Sequence, residues 1–373
     1  MIRRLIDAKI ENKLFKKKAI IIIGARQIGK TTSINNVLKD KENLLFLNGD
    51  DPVVREMLSN INTEQIKNLI AGKKYIFIDE AQRIKNSGLT AKIIVDIFPE
   101  VQLIMSGSSA FDLKNSLSES LTGRKWEYEM FPVTWKELEE TYGFLESQQQ
   151  FELRLLYGMY PEIITNPNEE KERLKLLTDS YLYKDILSFY NIQKPKVLEN
   201  LLKALALQMG SEVSLNELAN LLKIDKNTVK TYIEILEKSF VVFTLSGFNR
   251  NIRNELKQAK KIYFWDNGVR NALIGNFNPL ELRVDKGALW ENFLISERMK
   301  KNNYENPYTK SYFWRTTSQQ EIDYVEETDG KISAYEIKWN ENAKVKANTN
   351  FKETYNTDIK IISPKNFRHF LVG

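Results

Sequence analysis

The feature that most constrains this chain is a glycine-rich segment, Gly24–Thr31, which directly follows the five apolar residues Ala19–Ile23. It matches the pattern G-x-x-x-x-G-K-[ST] at every position. A short apolar run that ends at glycine is typical of a buried strand, and the residues from Lys30 onward have the pattern of a helix. The N–H groups of such a loop, with a helix N-terminus behind them, bind phosphate. The segment therefore predicts a strand–loop–helix unit that holds the phosphates of a nucleotide.

The residue types in this segment explain how it would hold ATP. Lys30 is expected to reach the β- and γ-phosphates, and the Thr31 hydroxyl is expected to be a ligand of Mg²⁺. The residues predicted to contact the nucleotide, including two serines discussed below, are Gly24, Ala25, Arg26, Gln27, Ile28, Gly29, Lys30, Thr31, Thr32, Ser106 and Ser108. ATP and Mg²⁺ are the predicted cofactors.

An acidic motif further along the chain indicates the same chemistry. Tyr75–Ile78 is an apolar run that predicts a strand, and Asp79 and Glu80 follow it directly. Asp79 is expected to complete the Mg²⁺ shell, while Glu80 acts as general base on the attacking water. The alternative is an ordinary Asp-Glu turn after a strand. It is disfavoured because both motifs occur in order, each after an apolar run.

Two further candidates are less specific. The segment Ser106–Ser109 follows the next predicted strand, where a hydroxyl could sense the γ-phosphate, although a simple Ser/Gly turn explains it equally well. Arg124 could act as an arginine finger within its own chain or on a neighbouring subunit, with a surface ion pair as the alternative. Lys30, Asp79, Glu80 and Arg124 are thus the predicted catalytic residues.

Composition excludes several other kinds of chemistry. The 373 residues include no Cys and a single His, His369, so disulfides, zinc sites and a Ser-His-Asp triad are not expected. The net charge of +6 fits a nucleic-acid partner without requiring one. Since no apolar run approaches the roughly 20 residues of a membrane span, and no signal-peptide pattern is present, we expect a cytoplasmic protein with no membrane partner.

Alternating apolar runs and helical patterns in the first third predict an α/β fold with a parallel sheet. The predicted strands there are Ala19–Ile23, Leu44–Leu47, Tyr75–Ile78 and Val101–Met105, and the predicted helices are Lys30–Lys39, Thr63–Ala71 and Leu89–Phe98. Residues 136–191 have a mainly helical pattern. Beyond Lys261 the pattern predicts strands at Ile262–Trp265, Tyr312–Arg315, Ile322–Val325 and Ser333–Lys338, and a helix at Trp290–Lys301.

Several stretches together resemble one family over essentially the whole chain. They are GARQIGKTT, YIFIDEAQRI, SGSSAFDLKNSLSESLTGR, FPVTWKEL, YGMYPEII, KIYFWDNGVRNALIG, GALWENFLISE and YFWRTTSQQEIDYV. The chain is similar to AAA-type P-loop ATPases of archaea and bacteria that carry a C-terminal domain of unknown function. The resemblance implies a P-loop ATPase core (1–135), a helical lid-like segment (136–194), a winged helix (195–260) and a small α/β domain similar to the PD-(D/E)xK nuclease fold (261–373). AAA-like relatives often form rings, which makes a homo-oligomer a further hypothesis.

The residues of the middle segment also favour a helix-turn-helix. Ser214 and Glu217 have the spacing of a capping box, and apolar residues recur on one face of a second helix near residues 227–238. The expected wing strands are Phe240–Leu245 and Lys261–Trp265. The residues expected to face DNA are Lys226, Lys230, Thr231, Arg250, Arg253 and Lys257. Because Glu234 and Glu237 lie on the same helix, a winged helix that only packs between domains is the alternative.

The C-terminal segment carries a second group of charged residues. Asp323, Glu336 and Lys338 lie on two neighbouring predicted strands, and strand alternation places Glu336 and Lys338 on one face. Two carboxylates could hold a divalent metal while the lysine orients a water. Glu291 matches the upstream acidic position of the nuclease pattern that the resemblance implies. The second metal site is thus a hypothesis on Glu291, Asp323, Glu336 and Lys338, with a salt-bridged cluster as the alternative.

Three functions remain open from the sequence. The first is Mg-dependent ATP hydrolysis coupled to the binding or processing of double-stranded DNA. The second is a nucleotide-dependent switch that acts on a protein partner, with an inactive nuclease-like domain. The third is a metal-dependent nuclease gated by ATP.

Overall fold

The computed structural model describes residues 2–108, 120–179, 186, 192, 194–249, 260–316, 320–340 and 349–373. The chain forms two compact units, Met1–Phe131 and Pro132–Gly373. Four residues named above, Ser109, Arg250, Arg253 and Lys257, lie outside the described residues.

The first unit is built on a parallel sheet of five strands. Its strands are β1 (Ala19–Ile23), β2 (Leu44–Asn48), β3 (Tyr75–Asp79), β4 (Gln102–Gly107) and β5 (Lys125–Glu129). They lie in the order β2-β3-β4-β1-β5, and every neighbouring pair is parallel. Since β1, β3 and β4 are fully buried, they form the core that carries the site. The four predicted strands are confirmed within two residues. The fifth, β5, escaped prediction because its residues alternate between charged and aromatic types and are all half-buried.

In the described part of this unit, five helices accompany the sheet. They are α1 (Leu5–Glu11), α2 (Lys30–Leu38), α3 (Pro52–Ser59), α4 (Thr63–Leu69) and α5 (Ser87–Ile97). The three predicted helices are confirmed as α2, α4 and α5. Helix α4 begins with a reciprocal capping box between Asn62 and Gln65, which satisfies two backbone N–H groups. The unpredicted α1 buries Ile6 and Ile10 and packs against α2.

Among its described residues, the second unit begins with six helices. They are α6 (Trp135–Tyr142), α7 (Phe144–Gln149), α8 (Phe151–Tyr157), α9 (Pro161–Thr165), α10 (Glu170–Leu177) and α11 (Pro195–Leu207). The mainly helical pattern predicted for residues 136–191 is confirmed over residues 136–179, and most of the remainder lies outside the described residues. Helices α6 and α7 are separated by Gly143.

Two helices and three strands follow. They are β6 (Glu212–Val213), α12 (Leu215–Leu222), α13 (Lys226–Lys238), β7 (Val242–Gly247) and β8 (Lys260–Phe264). Ser214 caps α12 by accepting a hydrogen bond from the Glu217 N–H, as its position predicted. Both predicted helices are present, and β7 pairs antiparallel with β8. The assignment of these elements as a winged helix stays a prediction.

The strands of the second unit form one mixed sheet of seven strands. The remaining elements are α14 (Asn267–Ile274), α15 (Lys286–Glu305), β9 (Lys310–Arg315), β10 (Glu321–Thr328), β11 (Lys331–Ile337), α16 (Thr349–Tyr355), β12 (Ile359–Ile362) and α17 (Phe367–Leu371). The order is β12-β11-β10-β9-β7-β8-β6, and β7 joins β9 through a parallel pair. The boundary expected between residues 260 and 261 therefore falls inside a continuous sheet. The four-segment division of the chain stays a prediction.

None of the helices in the described parts of the chain is both long and apolar enough to cross a membrane.

Candidate active site

The glycine-rich loop leaves the carboxyl end of β1 and opens α2, as its sequence context predicted. Gly29 has φ +92°, a left-handed conformation that suits glycine. A Cβ atom on Gly24 would lie 2.1 Å from the Met130 carbonyl oxygen, so only glycine fits there. Ala25 and Ile28 are fully buried, while Gln27 has a left-handed φ of +59° and Thr32 is exposed.

Lys30 lies inside this loop and is almost fully buried. Its Nζ donates hydrogen bonds to the carbonyl oxygens of Gly24 (2.9 Å) and Ala25 (2.7 Å). Burial lowers the pKa of Lys30 to about 8, although the nearby carboxylates of Glu80 and Asp79 oppose this shift. The ammonium is therefore charged at neutral pH and poorly solvated. An anionic group that reaches this loop would gain a strong charge-assisted interaction.

Asp79 joins three elements at the carboxyl edge of the sheet. The Thr31 hydroxyl donates to its Oδ2 at 2.6 Å, while the Ser106 hydroxyl and the Glu80 N–H (3.0 Å) donate to its Oδ1. Parallel strands place their carboxyl ends at the same edge, which explains why residues 75 positions apart meet here. The Thr31 hydroxyl and the Asp79 carboxylate are hard oxygen donors of the kind that Mg²⁺ prefers. These two residues fit the predicted Mg²⁺ site.

Glu80 begins a sharp turn directly after β3. Its side chain is mostly buried, and its Oε2 accepts hydrogen bonds from Gln82 Nε2 (2.6 Å) and, at 3.3 Å, from the Ser108 hydroxyl. The guanidinium of Arg26 lies 3.9 Å from the same oxygen. Glu80 of the acidic motif thus lies beside Arg26 of the glycine-rich pattern and beside Ser108 at the end of β4.

Arg124 lies away from the glycine-rich loop of its own unit. It immediately precedes β5, whose first residue, Lys125, pairs with Ala19 at the start of β1. The loop begins after the other end of β1, five residues or about 16 Å away. The Arg124 Nε instead bonds Asp96 Oδ1 at 2.6 Å. Action on the phosphates of the same chain is therefore not supported by the strand register, whereas action on a neighbouring subunit stays a prediction.

The charged residues of the C-terminal segment form a network of ion pairs. Lys338 Nζ lies 2.7 Å from Glu336 Oε2 and 3.2 Å from Asp323 Oδ2, which also accepts the Ile337 N–H at 2.7 Å. Although burial alone would lower it, these two carboxylates hold the pKa of Lys338 above its usual value. Burial, and after it the charge of Asp323, raises the pKa of Glu336 to about 7.

Glu291 lies next to this network but has a lysine of its own. Lys261, almost fully buried on β8, lies 3.6 Å from Glu291 Oε1 and also pairs with Glu321. The Tyr263 hydroxyl donates to Glu291 at 2.6 Å. Burial raises the pKa of Glu291 to about 7, with Lys261 opposing and Asp323 adding to the shift. In the described parts of the chain, no three His, Cys, Asp or Glu side chains are grouped so that they could hold a metal ion.

In comparison with known proteins, three segments of the chain match models of protein families. Residues 16–139 match the model of a family described as an AAA domain, residues 148–280 match a domain of unknown function (DUF8612), and residues 286–369 match another (DUF4143). A Walker-type ATPase of Pyrococcus abyssi has a similar fold, with a TM-score of 0.50 and 15% identity over 74% of this chain and 96% of that one. The first unit is an AAA-like P-loop domain.

Curated relatives extend over most of the chain. An uncharacterized protein of Methanocaldococcus jannaschii is 26% identical over 351 residues, which cover 86% of this chain and 75% of that protein. An uncharacterized protein of Mycobacterium tuberculosis is 28% identical over 342 residues, which cover 90% and 74% of the two chains. The similarity thus includes the second unit, whose family models state no function.

Sequence reasoning missed three residues that help to build these sites. Arg4 donates 2.6 Å hydrogen bonds to the carbonyl oxygens of Ile28 and Phe131 and so holds the glycine-rich loop in place. Gln82 binds Glu80, and Lys261 pairs with Glu291. Only Gln82 had a local signal, because it lies two residues after the acidic pair. The other two contacts join residues that are 24 or more positions apart, which no local pattern reveals.

Proposed function

We propose that this protein binds Mg-ATP in the AAA-like P-loop domain and hydrolyses it. The observation that carries the proposal is the meeting of Lys30, Thr31, Asp79 and Glu80 at one edge of the sheet. These side chains provide a buried cation, two hard oxygen donors and a carboxylate base within one small site. The match to the AAA domain model supports the same activity.

Each residue has a distinct part in this reaction. Lys30 would bind the β- and γ-phosphates, and Thr31 and Asp79 would hold Mg²⁺. When bound, the cation neutralises charge that develops on the phosphate oxygens. Glu80 would accept a proton from the attacking water as the oxygen of that water bonds to the γ-phosphorus. The bond from the γ-phosphorus to the bridging oxygen breaks, and its electron pair leaves with ADP.

In the same proposal, hydrolysis is coupled to double-stranded DNA through α13. Val229, Ile233 and Leu236 are buried along one side of this helix. Lys226, Lys230 and Thr231 are exposed, as their positions predicted. Because Lys230 lies 3.9 Å from Glu234 and both are exposed, this ion pair holds the lysine only weakly. An exposed lysine row on an amphipathic helix suits phosphate contacts.

The double variant Lys226→Ala/Lys230→Ala is expected to bind duplex DNA at least tenfold more weakly than wild type at low salt. It should also reduce the slope of log K against log salt by about 2, because two phosphate contacts are lost. Fluorescence anisotropy with a labelled duplex measures both quantities. Lys39→Ala/Lys41→Ala is the matched control, since it removes two exposed lysines and the same net charge elsewhere. Equal effects of the two variants would contradict the assignment of DNA binding to α13.

The alternative function is a nucleotide-dependent switch that acts on a protein partner. It would be favoured if DNA neither changes the rate of ATP hydrolysis nor shows salt-sensitive binding to the wild-type protein.

For the C-terminal segment we propose a nuclease-like fold whose charged cluster serves stability rather than cleavage. The order α15-β9-β10-β11-α16-β12 supports the resemblance to that fold. The ion pairs of Lys338 with Asp323 and Glu336, and of Lys261 with Glu291, support a structural role. A metal ion would have to displace these two lysines from the carboxylates.

This proposal predicts that Lys338→Met lowers the free energy of unfolding by about 2 kcal/mol. Breaking a fully buried ion pair costs about 3–5 kcal/mol, and the cost is smaller here because part of the Lys338 side chain is exposed. Urea denaturation measures the change.

The same proposal predicts that the wild-type protein leaves duplex DNA uncut in the presence of Mg²⁺ or Mn²⁺. Cleavage that disappears in both Asp323→Ala and Lys338→Met would show instead that the cluster is catalytic.

A further inference from the structure

The turn that carries Glu80 has an unusual backbone. Glu80 has φ +49° and ψ +41°, a left-handed conformation that costs a residue with a Cβ about 1 kcal/mol or more. The short 3₁₀ turn Ala81–Arg83 follows. Arg83 pairs with Asp50 at 2.8 Å, and the Gly49 N–H donates to the Asp79 carbonyl oxygen at 2.8 Å. The loop after β2 thus holds this turn on both sides of Gln82.

The Gln82 side chain connects Glu80 with the end of β4. Its Nε2 lies 2.6 Å from Glu80 Oε2 and 3.0 Å from the Ser108 hydroxyl. A carboxylate only accepts hydrogen bonds, so the amide nitrogen must face Glu80 and the orientation of the carboxamide is determined. Both N–H groups of Gln82 are then used, one on the proposed base and one on Ser108.

The carboxamide oxygen of Gln82 has a different environment. Gln82 Oε1 is buried and accepts no hydrogen bond from the described residues. Leaving a buried acceptor without a donor costs about 1–3 kcal/mol. This acceptor lies on the same side chain that binds Glu80. A water molecule has two hydrogens, so it could donate one to the carboxylate of Glu80 and the other to this oxygen.

We propose that Gln82 is a water-positioning residue for ATP hydrolysis. Its Nε2 holds the Glu80 carboxylate in one orientation, and its Oε1 accepts a hydrogen bond from the attacking water. The proposal rests on the proposed ATPase function. It adds a residue that orients the water, as distinct from the base that takes its proton.

The direct test is Gln82→Met, which keeps the length of the side chain but has neither donor nor acceptor oxygen. The single-turnover rate of ATP hydrolysis should fall about ten- to a hundredfold, because base and water lose their fixed geometry. The Kd for ATP should stay within about threefold of wild type, since the hydrogen bonds of Gln82 described above go to Glu80 and Ser108 rather than to the glycine-rich loop. Gln149→Met is the matched control, because it makes the same change at an exposed position in the second unit. A rate within twofold of wild type would overturn the proposal.

A second variant tests the contact with Glu80 itself. In Gln82→Glu, the side chain keeps an acceptor oxygen but has no N–H to donate to the Glu80 carboxylate. The single-turnover rate of ATP hydrolysis should fall at least tenfold, because Glu80 loses the hydrogen bond that fixes its orientation. A rate within twofold of wild type would overturn the proposal even if Gln82→Met folds poorly.

Wild type and Glu80→Gln separate this proposal from the function on which it rests. If wild type hydrolyses ATP and Glu80→Gln does not, the ATPase function stands, and the Gln82 variants then decide the present proposal alone. If purified wild type fails to hydrolyse ATP, the proposed function fails and the role of Gln82 fails with it.

Discussion

Glu80→Gln is expected to bind ATP as tightly as wild type and to hydrolyse it about 10²–10⁴-fold more slowly, the usual contribution of a general base. The substitution keeps the shape of the side chain but removes its ability to accept a proton. Lys30, Thr31 and Asp79, which would hold Mg-ATP, remain unchanged. Gln82 and Ser108 donate hydrogen bonds to this carboxylate and so hold the proposed base in one position.

The measurement is steady-state phosphate release by wild type and Glu80→Gln, with and without duplex DNA at low salt, beside ATP binding by calorimetry. Glu56→Gln, an exposed position on α3, is the matched control for the loss of one carboxylate. Normal turnover by Glu80→Gln would mean that another group is the base. DNA stimulation that wild type shows and Glu80→Gln lacks would support both the catalytic assignment and the DNA partner.

Lys30→Ala is expected to weaken ATP binding by about a hundredfold or more, and so to abolish turnover at millimolar ATP. The reason is that Lys30 is the buried cation of the loop, and charge-assisted hydrogen bonds to phosphate contribute about 1.5–3 kcal/mol each. Among the described residues, its Nζ donates hydrogen bonds to the carbonyl oxygens of Gly24 and Ala25. Binding of a labelled ATP analogue, followed by fluorescence, measures the loss.

The pH dependence of wild-type binding gives an internal check on this expectation. Burial lowers the pKa of Lys30 to about 8, so the ammonium of the ligand-free protein loses its proton as the pH rises through this value. ATP affinity should therefore fall between pH 8 and pH 10. Lys39→Ala, which removes an exposed lysine at the end of the same helix, is the control and should bind ATP like wild type. If Lys30→Ala binds ATP as tightly as wild type, the phosphates do not bind at Lys30.

Much of the first unit could be read from local sequence. The apolar run Ala19–Ile23, the glycines at 24 and 29 and the acidic pair after Tyr75–Ile78 each carry their own signal. Apolar runs of this length form buried strands wherever they pair, and glycine is needed where a Cβ atom would collide with a carbonyl oxygen, as at Gly24. The strands and helices predicted on this basis are present.

The second unit shows the limit of local patterns. Strands β7 to β11 and helix α15 were predicted, but β6, β12 and the assembly of the strands into one seven-stranded sheet were not. The parallel pair of Ser246–Gly247 with Tyr312–Phe313 joins segments that are 66 residues apart. Which strands pair over such a distance depends on the sheet edge that the rest of the fold leaves available. The residues of the two segments do not specify that edge.

The sequence by itself thus determined the strand–loop–helix form of the glycine-rich segment and the place of the acidic pair after its strand, because each depends on residue types at fixed short spacing. Only the tertiary structure decided which side chains surround them. Parallel strand register placed Arg124 at the far end of β1, where it pairs with Asp96. Packing of distant loops brought Gln82 and Ser108 onto Glu80, and Arg4 onto the glycine-rich loop. These contacts depend on distance in space, which the order of residues in the chain does not specify.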